Sequence, residues 1–410
     1  MSRLLFIEAN TTGTGMIALT RAASWGLKPL FYTNNPDRYS GLAETGCQVQ
    51  VCDTNHLESL RQHIRDTMDP QDIRGITTTS EFYLEQVAAL TAEYHLPGNP
   101  VEVVRKVRNK GETRRTLAQA GILQPKFAVI HNESEVEAAI WKIGLPCIIK
   151  PVDDSGSNEV RLCSNLETAL QQVSQILGHK VNVRGQATVG AALVEEYVQT
   201  PEFSVETISW QGQTEVIGIT QKSLAGLPFF VEVGHVFPAQ LDREQSNSMI
   251  RSVLDALQAV GFRNGAAHTE VKWTTQGCSI IEINGRLAGG MIPELVRLTT
   301  GIDLLEQQVF CSYQGPTVKE VVCQGTAGIR FLISETAGTV EHINGLDEAA
   351  QMSNVKEVKV NVLPGDFVSP PQNAYQRLGY VIAHGSTAEE TNRVLDQAIQ
   401  NIQILTGQHD

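Results

Sequence analysis

Along residues 1–100, short apolar runs alternate with stretches whose apolar positions recur at helical spacing. Residues 3–8 predict a strand, 16–25 a helix and 29–33 a second strand. Residues 57–68 predict a helix, 75–79 a strand end and 84–94 another helix. Such alternation argues a parallel, doubly wound sheet, because parallel strands need the crossover that a helix supplies. Pro97-Gly98-Asn99-Pro100 breaks the pattern, and the basic segment 101–120 reads as a helical bridge. From Lys126 the pattern becomes α+β. Residues 146–150 read as a short buried strand and 166–177 as a helix, and 193–198, 203–209 and 215–220 as strands of an antiparallel sheet. A helix over 248–260 precedes two strands, 266–273 and 278–284. Strands near 327–334, 356–362 and 378–384 are followed by an amphipathic closing helix, 388–405. The expected division is an N-terminal α/β domain (1–100), a bridge (101–125), two α+β subdomains (126–192 and 193–310) and a C-terminal α+β segment (311–410).

A chain of 410 residues is long enough for two or three domains with cores of their own. With 41% hydrophobic and 19% charged residues, disorder is excluded as its main state. The net charge of −13 argues against nucleic acid or a membrane surface as partner, although a cleft can still be locally basic. No apolar run approaches the roughly 20 residues that cross a bilayer. The run 1–7, stopped by Glu8, lacks a signal peptide's length and cleavage pattern. Seven cysteines, an odd number without a CxxC pair, fit reduced thiols in a cytoplasmic protein and no zinc site. Cys147 and Cys278 fall in apolar runs where packing is the expected role.

Two segments carry candidate chemistry by themselves. Gly13-Thr14-Gly15-Met16-Ile17-Ala18 matches G-x-G-x-x-A, but the second strand ends Thr33-Asn34-Asn35 without the acid that would hold a dinucleotide ribose. The expected reading is a tight strand-to-helix turn in a Rossmann-like scaffold, with a nicotinamide or flavin cofactor as the alternative. The second segment is 266–286. A three-residue loop Thr275-Gln276-Gly277 centres a hairpin that pairs Glu270 with Glu282 and His268 with Asn284. By the period of two, His268, Glu270, Lys272, Ile280, Glu282 and Asn284 share one face, and Ala267, Val271, Trp273, Ile281 and Ile283 form the core face. Two carboxylates about 4 Å apart repel by about 4 kcal/mol at an effective dielectric near 20. A divalent cation removes that penalty, and so does a slipped register on a solvated strand.

Lys150 ends an apolar strand beside Asp153-Asp154-Ser155-Gly156-Ser157-Asn158. A lysine next to a Ser/Gly loop suits phosphate, although the spacing is not that of a P-loop, and a surface lysine would read the same. Leu193-Val194-Glu195-Glu196-Tyr197-Val198 and Pro201-Glu202-Phe203 follow. In this order, with Glu270 and Glu282-Ile283-Asn284-Gly285-Arg286 after them, the motifs resemble the ATP-grasp superfamily over nearly the whole chain. The resemblance implies an N-terminal Rossmann-like domain and central ATP-grasp subdomains. It also implies Lys110 and Lys150 on ATP phosphates and Ser155, Gly156 and Ser157 as a flap over them. It further implies Glu195, Glu196 and Val198 in the adenine hinge and Glu202 on the ribose. Glu270, Glu282 and Asn284 would hold Mg²⁺, with Mn²⁺ as the alternative ion. Asn158-Glu159 departs from relatives, where a glycine often follows, and the acids Asp153, Asp154 and Glu159 are unusual around an anion loop.

Glu282-Ile283-Asn284-Gly285-Arg286-Leu287-Ala288-Gly289-Gly290-Met291 resembles the carboxylate–amine ligases of the L-amino acid ligase type, such as bacilysin synthetase and dapdiamide amide ligase. These join two small-molecule substrates, a carboxylate and an amine, through an acyl phosphate, releasing ADP and phosphate. A place in dipeptide antibiotic biosynthesis would follow. Arg286 matches the arginine that neutralises the phosphoryl group and the oxyanion. Glu232 and His235 match a pair that holds the acyl substrate, and Gly289 and Gly290 are expected to leave room for a side chain. The alternatives are a carboxylase or purine-pathway ligase on the same fold, or a nicotinamide-dependent oxidoreductase. A homodimer is left open.

Overall fold

The computed structural model describes residues 3–11, 14–318 and 320–407. Near the N-terminus, four parallel strands stand in the order Gln48–Val51, Pro29–Thr33, Arg3–Ile7, Ile73–Thr77. Helices Gly15–Ala22, Leu57–Thr67 and Leu84–Glu93 connect and cover them, as the alternating pattern predicts. Gly13 lies outside the described residues. Gly15 is required by close approach, since a Cβ there would fall 2.3 Å from the Asn10 carbonyl oxygen. Glu8, just past the first strand, is fully buried in a left-handed conformation (φ 56°). Its carboxylate accepts from Thr33 Oγ1 at 3.0 Å, the Asn34 amide at 2.8 Å and Thr54 Oγ1 at 2.6 Å. These donors offset the roughly 1–2 kcal/mol of left-handed strain and pin the strand ends together.

The helical bridge is two helices, Val101–Arg108 and Lys110–Gln119. Asn109 breaks it with extended dihedrals (φ −92°, ψ 103°), and its side chain caps the second helix at the Glu112 amide. The break places Lys110 in a first helical turn, with its amide on the Val152 carbonyl. A small antiparallel sheet follows, in the order Phe127–Ile130, Ala192–Glu196, Cys147–Pro151, Arg161–Cys163. Helices Val136–Ile143 and Leu166–Gly178 cover one of its faces. The segment after those helices docks on the N-terminal unit. Arg184 donates to the Ala9 carbonyl at 3.1 Å, Asn55 donates to the Arg184 carbonyl at 2.8 Å, and Gln186 donates to the Phe82 carbonyl at 3.0 Å.

The largest sheet has eight antiparallel strands: Gly277–Asn284, Gly265–Thr274, Glu202–Trp210, Gln213–Ala225, Val231–Phe237, Thr326–Leu332, Gly379–Gly385 and Val355–Val360. Its last three strands come from the C-terminal hundred or so residues, so that segment extends the central sheet. Val231–Phe237 is absent from the pattern-based reading because Glu232, Gly234 and His235 interrupt its apolar run. Helix Arg243–Val260 begins earlier than expected because Asp242 and Gln245 form a capping box. Met249, Val253, Ala256, Leu257 and Val260 line its buried face, against Val205, Val271, Ile280 and Ile283. Helix Ala388–Asn401 stops short of residue 405, and Gln403–Gly407 pairs with Gly338–Asn344 instead. Among the described residues, all seven cysteines are free thiols and no helix is long and apolar enough to cross a membrane.

Candidate active site

One cleft between the small sheet, the large sheet and the N-terminal unit gathers nearly every candidate residue, and His235 lies just behind it. Its floor is the hairpin of Gly265–Thr274 and Gly277–Asn284. Glu270 stands directly opposite Glu282, and His268 opposite Asn284, as expected. The route to that register differs from the expectation. The loop has two residues, with Thr274 paired to Gly277, and an irregularity between Glu270 and Val271 leaves Ile281 without a cross-strand partner. The extra residue exchanges two faces. Ile280 packs in the core, opposite Val271, whereas Ile281 reaches the cleft. Such bulges re-aim side chains beside functional sites. Arg114, buried, holds this one with a fork: Nη1 donates to the Ile280 carbonyl at 2.8 Å and Nη2 to the Ile281 carbonyl at 2.6 Å.

The same guanidinium pairs through Nε with Glu195, whose other oxygen lies 2.6 Å from Lys150 Nζ. Burial would raise the Glu195 pKa, but Arg114 and Lys150 outweigh it and hold the carboxyl at about 2. The Glu195 side chain is therefore committed inside the protein. What the strand end offers a ligand is its backbone, together with Glu196 and Val198 at the cleft wall. The Val198 carbonyl accepts from Lys272 Nζ at 3.0 Å. Lys110 Nζ donates to the Asp154 carbonyl at 2.6 Å and lies 3.3 Å from Glu282 Oε1.

Lys222, buried on Gln213–Ala225, draws three carboxylates to one point. Its Nζ lies 3.0 Å from Glu202, 2.7 Å from Glu232 and 2.6 Å from Glu270. Burial works against its charge, yet the three acids hold its pKa well above the ordinary lysine value. Below Glu270 lies a second buried pair. His268 Nδ1 is 3.0 Å from Glu206 Oε2, and its Nε2 is 3.4 Å from Glu270 Oε1. Burial would lower the His268 pKa, but Glu206, then Glu270, raise it to about 9, so the ring is cationic at neutral pH. Lys222 and Lys110 thus balance Glu270 and Glu282. Two carboxylates and the Asn284 amide are hard oxygen donors of the type Mg²⁺ prefers. Among the described residues, no group of three or more His, Cys, Asp or Glu is arranged to hold a metal ion.

Arg286 joins the parts. Its Nε lies 2.7 Å from Glu81 of the N-terminal unit, and its Nη2 lies 3.3 Å from both Ser155 Oγ and Asn284 Oδ1. Gly156 and Ser157 adopt left-handed conformations in the loop above. A Cβ on Gly156 would press on the Tyr375 ring at 3.1 Å, so the C-terminal segment roofs the loop. Glu232 Oε2 is 3.6 Å from His235 Nε2. His235 is fully buried, and burial lowers its pKa, which keeps the ring neutral. Gly289 and Gly290 differ. A Cβ on Gly289 meets open space, whereas on Gly290 (φ 57°) it would fall 2.5 Å from His235 Nε2. Only Gly289 leaves room for a side chain.

Sequence reasoning missed Arg114, Lys222, Glu81, Glu206 and Arg377. Spacing alone singles out none of them, because the partners that define them lie far away in the sequence.

Comparison with known proteins bears on this arrangement. The ATP-grasp domain family matches residues 143–294, and the L-amino acid ligase C-terminal domain 2 family matches residues 330–407. A protein of Sinorhizobium fredii named y4rH, itself uncharacterised, is 30% identical over 402 residues, spanning 98% of this chain and 83% of that one. The chain belongs to the ATP-grasp superfamily. Within it, the alanine–anticapsin ligase of Bacillus subtilis is 27% identical over 250 residues, which cover 57% of this chain and 52% of that enzyme. The L-amino acid ligase of Bacillus licheniformis superposes with a TM-score of 0.82 at 25% identity, covering 99% of both chains. This ATP-grasp chain is accordingly a ligase of the ATP-dependent, amide-forming kind.

Two outcomes follow from the geometry. The His268 pKa is raised in the fold, so its stabilising contribution is complete below about pH 6.5 and vanishes as pH climbs through about 9. From pH 7 to 10 the wild type should lose roughly 3 kcal/mol more stability than His268→Gln, by urea melts at each pH. Gly290→Ala should cost about 1–3 kcal/mol through overpacking against His235 and left-handed strain. Gly289→Ala should stay within about 0.5 kcal/mol in the same melts.

Proposed function

We propose that this chain activates an amino-acid carboxylate with ATP and joins it to the amine of a second amino acid. The observation that carries this reading is the facing pair Glu270–Glu282, with Arg286 and Lys110 beside it and Lys150 lining the same cleft. Acids that bind a cation, and cations that bind phosphate, meet where a carboxylate could reach a triphosphate. In this reading the backbone from Glu195 to Val198 takes the adenine, Glu202 the ribose, and Lys110, Lys150 and the loop Ser155-Gly156-Ser157 the phosphates. Glu270, Glu282 and Asn284 would hold Mg²⁺, which supplies charge neutralisation between phosphate oxygens when bound.

Chemically, one oxygen of the donor carboxylate attacks the γ-phosphorus, the β,γ-bridging bond breaks, and ADP leaves with that electron pair. The acceptor amine then adds to the acyl carbon, phosphate departs with its oxygen, and a proton is lost from nitrogen. Arg286 would offset charge in both steps. Its tie to Glu81 fixes its direction, and fixed donors aimed at developing charge are the effective kind. Glu232, held anionic by Lys222 despite burial, suits the donor's ammonium group.

ADP release over pairs of the twenty amino acids, with mass spectrometry of products, tests the reading. Glu282→Gln should retain the wild-type melting temperature and abolish ADP formation, and near-normal turnover at saturating Mg²⁺ would remove the metal assignment. Hydroxylamine supplied in place of the amine should be converted to a hydroxamate with ADP as co-product. Recovery of AMP and pyrophosphate would overturn the acyl phosphate route.

A further inference from the structure

Arg377 precedes the strand Gly379–Gly385, well outside the stretch matched by the ATP-grasp domain family, yet its side chain reaches the same cleft. The side chain is only 6% exposed. Its guanidinium lies 3.8 Å from the centroid of the Phe331 ring, and its Nε donates to the Ala374 carbonyl at 2.9 Å. Stacking and this bond fix the plane of the group. Its Nη1, however, has no hydrogen-bond partner. Glu232 Oε2 stands 3.7 Å away, beyond hydrogen-bond reach. Glu232 is drawn elsewhere, with Oε1 on Lys222 at 2.7 Å and Oε2 toward His235 at 3.6 Å. Glu232 thus balances the charge at a distance but leaves the N–H without an acceptor, and a buried donor without a hydrogen bond costs about 1–3 kcal/mol and calls for a specific explanation.

The chemistry of amide formation between two amino acids supplies one. The donor's carboxylate loses its charge when it becomes an acyl group. The acceptor's α-carboxylate is retained throughout and needs its own cation in a buried cleft. Arg286 and Arg377 touch different residues, the former Glu81, Ser155 and Asn284, the latter Phe331, Ala374 and Glu232. Two guanidiniums at separate points of one cleft match two separate anions. We propose that Arg377 binds the retained α-carboxylate of the acceptor amino acid, so that the C-terminal domain reads the acceptor. This rests on the ligase reading above. It goes beyond that reading by assigning the acceptor's α-carboxylate to a named residue of the C-terminal segment.

The test compares each amino acid with its α-carboxamide on wild type, Arg377→Met and Arg377→Lys. Calorimetric titration into the Mg-ADP-loaded protein gives binding, and ADP release gives acceptor KM and kcat. Wild type should bind the acid at least about tenfold more tightly than the amide. Arg377→Met should weaken the acid by about tenfold to a hundredfold, with the amide and Mg-ADP unchanged and kcat at saturation largely kept. Arg377→Lys, which keeps the charge and most of the stem, should fall between and keeps the comparison readable if the methionine variant does not fold. Equal weakening of acid and amide, or of neither, would overturn the proposal. So would a loss confined to aspartate or glutamate used as donor. Should no pair turn over, the ligase reading fails, while the binding titrations still decide what Arg377 holds.

Discussion

A single ammonium group sets the spacing of the whole cleft. Lys222 Nζ lies within 3.0 Å of Glu202, Glu232 and Glu270, and all three acids sit on different strands. Three carboxylates crowded into a space with little water would repel one another by several kcal/mol and would protonate or turn outward. The lysine holds Glu232 and Glu270 ionised and draws all three inward, whereas burial pushes the Glu202 carboxyl up. Sheet register makes this possible, because Lys222 is directly opposite Glu202, and Glu202 is opposite Lys272. Across adjacent strands, acids and lysines therefore occupy neighbouring positions, and the floor is preorganised before any ligand arrives.

Around that floor, each unit of the chain contributes a group the others lack. The N-terminal unit sends Glu81 to Arg286, the small sheet brings Lys150 and the loop at Ser155, and the C-terminal segment supplies Tyr375 and Arg377. Fixing these groups costs each unit some freedom, which buried salt links offset best where their remaining donors and acceptors are used. Arg114 is the clearest instance: one guanidinium serves Glu195 and both carbonyls of the bulge. Removing it would leave an acid and two carbonyls without a shared partner, so its influence reaches both ends of the cleft.

Much of this was legible in the sequence where a short-range rule governs. The period of two placed Glu270 opposite Glu282, and the order of Lys150, the Ser/Gly loop and the Glu-Glu-Tyr-Val run carried the family resemblance. The hairpin also shows the limit of such counting. A loop one residue shorter than expected and one bulged residue cancel, so the acids paired as foreseen while Ile280 and Ile281 exchanged faces. No pattern of spacing announces a bulge whose cause is Arg114, more than a hundred residues earlier. Lys222 and Arg377 were silent for the same reason. A buried cation looks like a surface one until its distant partners are known. Gly290 misled differently, because a glycine that avoids His235 and one that leaves open space read alike.

The small sheet's unit is moored on two sides. Arg184, Asn55 and Gln186 hold it to the N-terminal unit, and the Ala374 amide donates to the Gly156 carbonyl at 3.4 Å on the other side. Moorings on opposite flanks oppose a swing about either one alone, so widening the cleft requires their concerted release. Motions of that kind run on the microsecond-to-millisecond scale. On the proposed reading, entry of nucleotide and exit of product would share that release. An activated carboxylate formed inside would be sheltered for about as long as the moorings hold, which ties the lifetime of a reactive species to a handful of hydrogen bonds remote from the chemistry.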